Sequence, residues 1–193
     1  MVLMLKKPIN LSEKHKSNLD LLFSICTTGL VVGGFLRSII NNEDIRDIDF
    51  CVPEAKYIDT LNKCVQSLSC EILGITDKNV KLYSNKIGME IDILKQSKDG
   101  KFIIDDFDFT ICKGYIDKNY FFTMTEADYN DLIHKKLVYC GSAWPMASYK
   151  RSLEFFEKGY SIDAYNLLKI LDDCEKIEGV KIIPNSKLLL PKN

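Results

Sequence analysis

The chain has 193 residues, 46% of them apolar and 10% aromatic, with 26 basic against 27 acidic side chains and a formal net charge of −1. This composition excludes a disordered chain and is ample for the core of one domain, or of a domain carrying a small helical appendage. Near-neutrality argues against a large non-specific nucleic-acid clamp while leaving room for a local basic patch.

In chain order, Leu11 to Cys26 places Leu11, Leu19, Leu22, Phe23 and Cys26 at near-helical spacing, with Ser12 as the cap. Thr28 to Ile40 then reads as a short buried strand, a turn at Gly33-Gly34 and an amphipathic helix. Glycines at such a turn let backbone N–H groups approach an anion, and a helix N-terminus behind them adds a favourable dipole. Arg37, one turn into the helix, is within reach of a phosphate bound there. Taken alone, the unit is also met wherever an α/β turn needs a glycine for geometry.

A loop at Asn41-Asn42-Glu43-Asp44 leads to Arg46-Asp47-Ile48-Asp49-Phe50. Side chains alternate along a strand, so Asp47 and Asp49 share one face while Ile48 and Phe50 enter a core on the other. Two carboxylates held that close repel unless a cation neutralises them. Mg²⁺ favours carboxylate oxygens together with phosphate oxygens. The succession Gly-Gly, Arg, Asp-x-Asp therefore points to a divalent-metal site completed by a nucleoside triphosphate, whereas an isolated Asp-x-Asp often marks a solvated edge.

Pro53 ends that strand. Ala55 to Leu68 is expected to be a helix burying Ile58, Leu61, Val65 and Leu68. Glu71 to Thr76 is expected to be a strand, and Val80–Ser84 with Met89–Leu94 a hairpin around Asn85-Lys86-Ile87-Gly88. Its second strand repeats the acidic logic, with Glu90 and Asp92 on one face and Ile91 and Ile93 on the other. The bland alternative is an edge strand whose polar face is wet. Lys95 to Asp106 reads as a loop in which Asp105 and Asp106 are loop charges. Thr125 and Asp128 open a helix to about His134, an exposed helix-end residue. Leu137 to Cys140 is a last strand closed by Gly141.

The remainder is helical. Met146 to Lys158 is expected to bury Leu153, Phe155 and Phe156 and to stop at Gly159. Ser161 is expected to cap a helix to about Ile177, with Ile162, Tyr165, Leu168 and Leu171 as its core stripe. Lys187 to Asn193 reads as a loosely held tail. The expected division is a domain over 1–145 and a small helical segment over 146–193 packed on it.

The cysteines at 26, 51, 64, 70, 112, 140 and 174 contain no Cys-x-x-Cys pair, and only His15 and His134 could join them, so neither a zinc ligand set nor a disulfide framework is expected. Most read as small core residues in a reducing compartment. No run approaches membrane-spanning length, and the N-terminus is wrongly ordered for a signal peptide. The expected location is cytoplasmic, with no membrane partner.

Gly33-Gly34-Phe35-Leu36-Arg37 followed by Arg46-Asp47-Ile48-Asp49-Phe50 resembles the head domain of bacterial-type tRNA CCA-adding enzymes and poly(A) polymerases. These belong to the DNA polymerase β nucleotidyltransferase superfamily. A second stretch, Asp108-Phe109-Thr110-Ile111-Cys112, resembles the family's Asp-Phe-Thr-Ile-Asn. The resemblance covers about three-quarters of the chain. It implies an α+β (α/β) nucleotidyltransferase fold, a small mixed β-sheet flanked by helices with a short helical C-terminal segment. It also implies a metal-dependent transfer from an NTP to an acceptor hydroxyl, most naturally an RNA 3′ end.

By the same resemblance, Gly33, Gly34 and Arg37 hold the triphosphate, and Asp47, Asp49 and a third carboxylate hold two Mg²⁺ ions. Asp92 is the choice for the third, with Glu90 in reserve. Asp108 holds a ribose hydroxyl or fixes local structure, and Lys150 and Arg151 meet the triphosphate or base. Three departures narrow the expectation. Asp106 and Phe107 stand where the family has arginines, and Cys112 replaces the final Asn. Ala147-Ser148-Tyr149-Lys150-Arg151 stands where the tRNA enzymes have the base-reading Glu-Asp-x-x-Arg, so ordered C-then-A addition is not expected. The rival readings are an inactive nucleotide-binding module and a toxin-like, protein-modifying adenylyltransferase.

Overall fold

A computed structural model describes residues 2–96 and 103–178. The chain opens with β1 (Met4–Pro8) and α1 (Glu13–Ile25), followed by β2 (Leu30–Val32), α2 (Gly34–Asn41) and β3 (Asp47–Val52). Next come α3 (Tyr57–Ser67), β4 (Cys70–Ile75), β5 (Asn79–Ser84) and β6 (Met89–Lys95). The chain continues with β7 (Tyr115–Ile116), β8 (Phe121–Thr125), α4 (Glu126–Ile133) and β9 (Lys136–Leu137). The described residues end with α5 (Pro145–Glu157), β10 (Ser161–Ile162) and α6 (Ala164–Glu178).

Local signals set most of these boundaries. Ser12 Oγ accepts the His15 N–H at 3.2 Å and Thr125 Oγ1 accepts that of Asp128 at 3.0 Å, each satisfying an orphan donor of a helix start. Asn42, in the left-handed region at φ 53°, closes α2. Gly159, at φ 82°, stands just past the end of α5.

Among the described residues, eight strands form one mixed sheet in the order β1-β8-β7-β2-β3-β6-β5-β4. Only β3 and β6 run parallel; the other pairings in it are antiparallel. One face of the sheet meets helices α1, α2 and α3. Ile48, Phe50 and Val52 of β3, Ile91 and Ile93 of β6 and Val80 and Leu82 of β5 join Leu19, Leu22, Phe35, Leu36 and Cys64 in the main core. Phe23 meets Phe50 edge-on at 5.7 Å between centroids. The other face carries a small separate cluster of Val32, Cys51, Leu94 and Ile104. Asp47 and Asp49 share that second face with Cys51. Strand alternation thus sends the apolar half of the motif inward and leaves its acidic half on the thinly covered side.

The sheet is larger than expected because β1, β7 and β8 were not foreseen. β7 is two residues long, and β1 is a lysine-rich edge ending in proline, so neither shows an alternation long enough to read. β6 lies between β3 and β5, which removes the wet-edge alternative for Glu90 and Asp92. β9 is outside the main sheet and pairs with β10, while Tyr139 bridges to Phe109. Ser161 lies in β10, and it is Asp163 whose side chain accepts the Asn166 N–H at the start of α6. The hairpin around Asn85–Gly88 stands as expected. Six cysteines are buried and Cys140 is exposed. The tail at 187–193 and the centre of the expected loop at 95–106 lie outside the described residues.

Three helices bury only part of the set expected of them: Leu68 and Phe155 are inside as expected, Leu61 and Ile162 pack against the core, and the rest differ. α3 turns Thr60 and Cys64 inward and leaves Ile58 66% exposed. α5 buries Ser148, Ser152 and Phe155, while Leu153 and Phe156 are exposed. α6 buries Asn166, Ile170 and Cys174 at four-residue spacing and exposes Tyr165 and Leu168. Asn166 is inside because its Oδ1 accepts the Tyr139 N–H at 2.9 Å, a backbone donor that would otherwise be buried unmet. α5 and α6 pack on each other, and Phe155 meets Phe109 edge-on at 5.8 Å. No helix among the described residues is long and apolar enough to cross a membrane.

Candidate active site

The parallel pairing of β3 with β6 sets Asp47 beside Glu90 and Asp49 beside Asp92. Neighbouring strands lie about 4.8 Å apart and paired residues face the same way, so four carboxylates form a two-by-two block on one face. The rows extend across the sheet. Val32 of β2 pairs with Asp49, and Lys81 of β5 pairs with Asp92. Lys81 Nζ lies 3.0 Å from Glu90 Oε2 and 3.7 Å from Asp92 Oδ2.

The turn before α2 is built against this block. Gly33 has φ 71° and ψ −137°, backbone that side-chain-bearing residues rarely adopt. A Cβ placed there would lie 2.3 Å from Asp49 Oδ2. The glycine is therefore required twice, by the backbone and by the carboxylate that presses on it. Gly34 is different, since a Cβ there would meet only the tip of Arg37 Nη2, at 3.1 Å. Gly33, Gly34, Asp47 and Asp49 line a cleft of about 370 Å³, with Arg151 and Lys158 on its α5 side.

Electrostatics agree with the geometry. Burial, then repulsion from Asp47 and Asp92, pushes the Asp49 carboxyl up to about 7. Burial also raises Asp92; Lys81 opposes that rise, and Asp47 and Glu90 add to it. Asp92 Oδ1 is buried without a hydrogen-bond partner. Among the described residues no three His, Cys, Asp or Glu side chains could hold a metal by themselves. Hard oxygen donors, an unmet carboxylate oxygen and uncompensated negative charge fit Mg²⁺, which takes one or two carboxylates and completes its shell with water and phosphate.

Other predicted residues have different surroundings. Arg37 lines the cleft, but its guanidinium is mostly buried and held: Nε contacts Glu43 Oε2 at 3.4 Å and Nη1 donates to Cys112 Sγ at 3.4 Å. It also lies over the Phe155 ring, 4.8 Å from the centroid. Cys112, where the related motif has Asn, thus contacts the arginine of the first motif. Asp108 is buried, and both its oxygens accept from Arg151 Nη1, at 2.8 and 2.9 Å. It faces an arginine. Lys150 is exposed and does not line the cleft, so the structure separates it from Arg151. Asp105 and Asp106 are exposed in a short 3-10 turn.

Glu43, Tyr160 and Lys158 were not singled out from the sequence. Tyr160 donates to Glu43 Oε1 and accepts from Asn41 Nδ2 at 2.7 Å, while Lys158 Nζ lies 3.7 Å from Glu43 Oε2. They fasten the Arg37 side of the cleft to the α5–β10 turn. The one local hint was the acid in a loop between two motif halves. Because Asp108 is buried, Arg151→Ala should cost about 1–3 kcal/mol by stranding its carboxylate, somewhat less than for a fully buried pair because Arg151 is half-exposed. Denaturant unfolding checks this: Asp108→Asn added to Arg151→Ala should recover much of the loss.

Comparison with known proteins gives two consistent results. The chain is similar to solved CCA-adding enzymes, and at this identity the likeness shows the fold. The complex of a CCA-adding enzyme with ATP superposes at TM-score 0.71 and 18% identity, over 92% of this chain and 48% of that one. The Thermotoga maritima CCA-adding enzyme complexed with tRNA_CCA gives TM-score 0.67 at 17% identity, over 89% and 46%. The fold is thus the nucleotidyltransferase fold. In sequence, the chain is similar to Gabija anti-defense 2 of Bacillus phage SPbetaL7, 26% identical over 149 residues. The match takes in 75% of this chain but only 37% of that protein, so the chain spans little more than a third of its curated relative. The family description Gad2, Gabija anti-defense 2 family protein, matches residues 6–135, and the chain belongs to that family.

Proposed function

We propose that the chain is a metal-dependent nucleotidyltransferase that moves a nucleoside monophosphate from an NTP to an acceptor hydroxyl, releasing pyrophosphate. The observation that carries this reading is the placement of Asp47, Asp49 and Asp92 on one face of adjacent strands against the Gly33 turn. Gly33 and Gly34 leave the floor of the cleft bare of side chains, so backbone can approach phosphate oxygens closely. Asp47 and Asp49 would hold one Mg²⁺ ion with the triphosphate, and Asp92 would complete a second ion's site on the acceptor side. When bound, these ions stabilise charge on the entering and leaving oxygens of an in-line displacement. The protein's share is positioning and a fixed field. Arg37, locked by Glu43 and Phe155, gives the cleft a rigid positive wall.

The acceptor we favour is an RNA 3′ end, because the solved relatives of this fold include a complex with tRNA. The family description supports a role in countering the Gabija defence, through modification of an RNA or of a component of that system. The test is incubation of the protein with each labelled NTP, Mg²⁺ and total RNA or protein. Label transferred with release of pyrophosphate is expected, and nucleotide bound without turnover under every condition would leave a binding module instead.

Selectivity follows from α5. Ser148 is fully buried and Ala147 carries no hydrogen-bonding group, so the Arg151 guanidinium lacks a carboxylate neighbour at those positions. Given tRNA lacking its 3′ end with CTP and ATP together, the protein should add one nucleotide type or choose loosely. Ordered C-C-A synthesis, read by primer extension, would remove this account of base choice.

A further inference from the structure

The nucleotidyltransferase reading leaves the lysine of the acidic face unused. Lys81 is the register partner of Asp92 and reaches both carboxylates of β6, at 3.0 Å from Glu90 Oε2 and 3.7 Å from Asp92 Oδ2. Its stem comes from β5, on the far side of Asp92 from Asp49, so the ammonium stands over the outer half of the block. The side chain is 39% exposed, against 13% for Asp92, so it can swing to solvent whereas the aspartate cannot. The two oxygens of Asp92 are unequal: Oδ2 faces the ammonium, and Oδ1 is buried with no partner.

We propose that Lys81 is a positioning residue that acts as a built-in rival for the cation on the Asp92 side. This inference rests on the metal-dependent reading above. An ammonium and a divalent ion cannot share one carboxylate oxygen at close range without strong mutual repulsion. Among the described residues, no lysine or arginine forms an ion pair with Asp47 or Asp49, so the first ion would be held there with the triphosphate. The second ion enters only when Lys81 leaves Asp92. Cation loading is therefore ordered, and the released ammonium becomes available to the anionic acceptor whose hydroxyl is to react. A phosphodiester chain supplies such an anion, which favours a nucleic-acid acceptor over a neutral one.

The experiment is a Mn²⁺ titration of the intact chain with a non-hydrolysable NTP, free Mn²⁺ being read by electron paramagnetic resonance. Wild type should take up one ion tightly and a second more weakly. Lys81→Met should tighten the second ion on the order of tenfold and leave the first unmoved, since a removed ammonium at this range no longer opposes it. Lys81→Arg should retain the wild-type separation, and Lys81→Gln should repeat the effect of Lys81→Met if the latter folds poorly. A second-ion affinity unchanged or weakened in both neutral variants overturns the inference while leaving the metal-dependent reading intact. Absence of any Mn²⁺ uptake by the wild type overturns that reading and the inference with it.

Discussion

Asp49→Asn should abolish nucleotidyl transfer, by at least about 10²–10³-fold, and at the same time make the metal-free protein more stable. The two effects share one cause. Burial and the neighbouring Asp47 and Asp92 hold the Asp49 carboxyl at about 7, against an ordinary value of 3.8. Below the ordinary value, the group is neutral in the folded and unfolded chains alike and costs nothing. Between it and about 7, the unfolded chain gives up the proton while the folded one keeps it. Stability is lost across that window as pH rises, and above it the full cost of a buried, repelled charge remains.

Asparagine removes this cost, so at pH 8 without metal the variant should melt roughly 2–8 °C higher, as about 1–2 kcal/mol does in a chain of this size. Mg²⁺ with NTP should raise the melting temperature of the wild type at pH 8 and barely move the variant. In the wild type, that metal-dependent rise should fade as pH drops below about 7, because the ion must displace a proton. Differential scanning fluorimetry across pH checks all three statements. A variant less stable than wild type at pH 8 would show that Asp49 is a structural residue and not a repressed charge.

Gly33→Ala should be the most damaging small change in the chain, and far worse than Gly34→Ala. At Gly33 the backbone itself resists a side chain, which costs about 1–3 kcal/mol. The added carbon would also stand 2.3 Å from Asp49 Oδ2, and that carboxylate is held by the sheet behind it. Either the turn opens or Asp49 moves, and both would disrupt the proposed metal site; transfer should fall by more than about a hundredfold. At Gly34 the added carbon meets the end of the Arg37 side chain, which can give way, so Gly34→Ala should retain the fold and much of the activity. A larger residue is needed at Gly34, as in Gly34→Val, to block phosphate approach while the chain still folds. Urea unfolding and NTP-binding isotherms of the three variants separate these cases. Equal damage at the two glycines would refute the close approach as the reason for Gly33.

The sequence by itself determined the elements whose cause is local. Asp47 and Asp49 must share a face because strand side chains alternate, and Ile48 and Phe50 anchor the same strand from behind. The hairpin of β5 and β6 was legible from its turn, and Glu90 and Asp92 from the same alternation. The caps at Ser12 and Thr125 were likewise written in three or four consecutive residues. That these acids stand side by side, with Asp49 next to Asp92, was decided by the parallel register of β3 and β6, a pairing across more than 40 residues of chain that no local pattern specifies.

Tertiary structure alone also settled which groups are already spoken for. Arg151 engages Asp108 from 43 residues away and Tyr160 engages Glu43 from 117, while Lys81 reaches Asp92 from the neighbouring strand. Helix faces show the same division. Periodicity marked Leu153, Phe156, Tyr165 and Leu168 as apolar, yet burial depends on what lies opposite, and α5 buries Ser148, Ser152 and Phe155 while α6 buries Asn166 and Ile170 instead. A residue's chemistry and its period are properties of the chain. Its partner, its charge state and its access to water are properties of the neighbours that the fold brings to it.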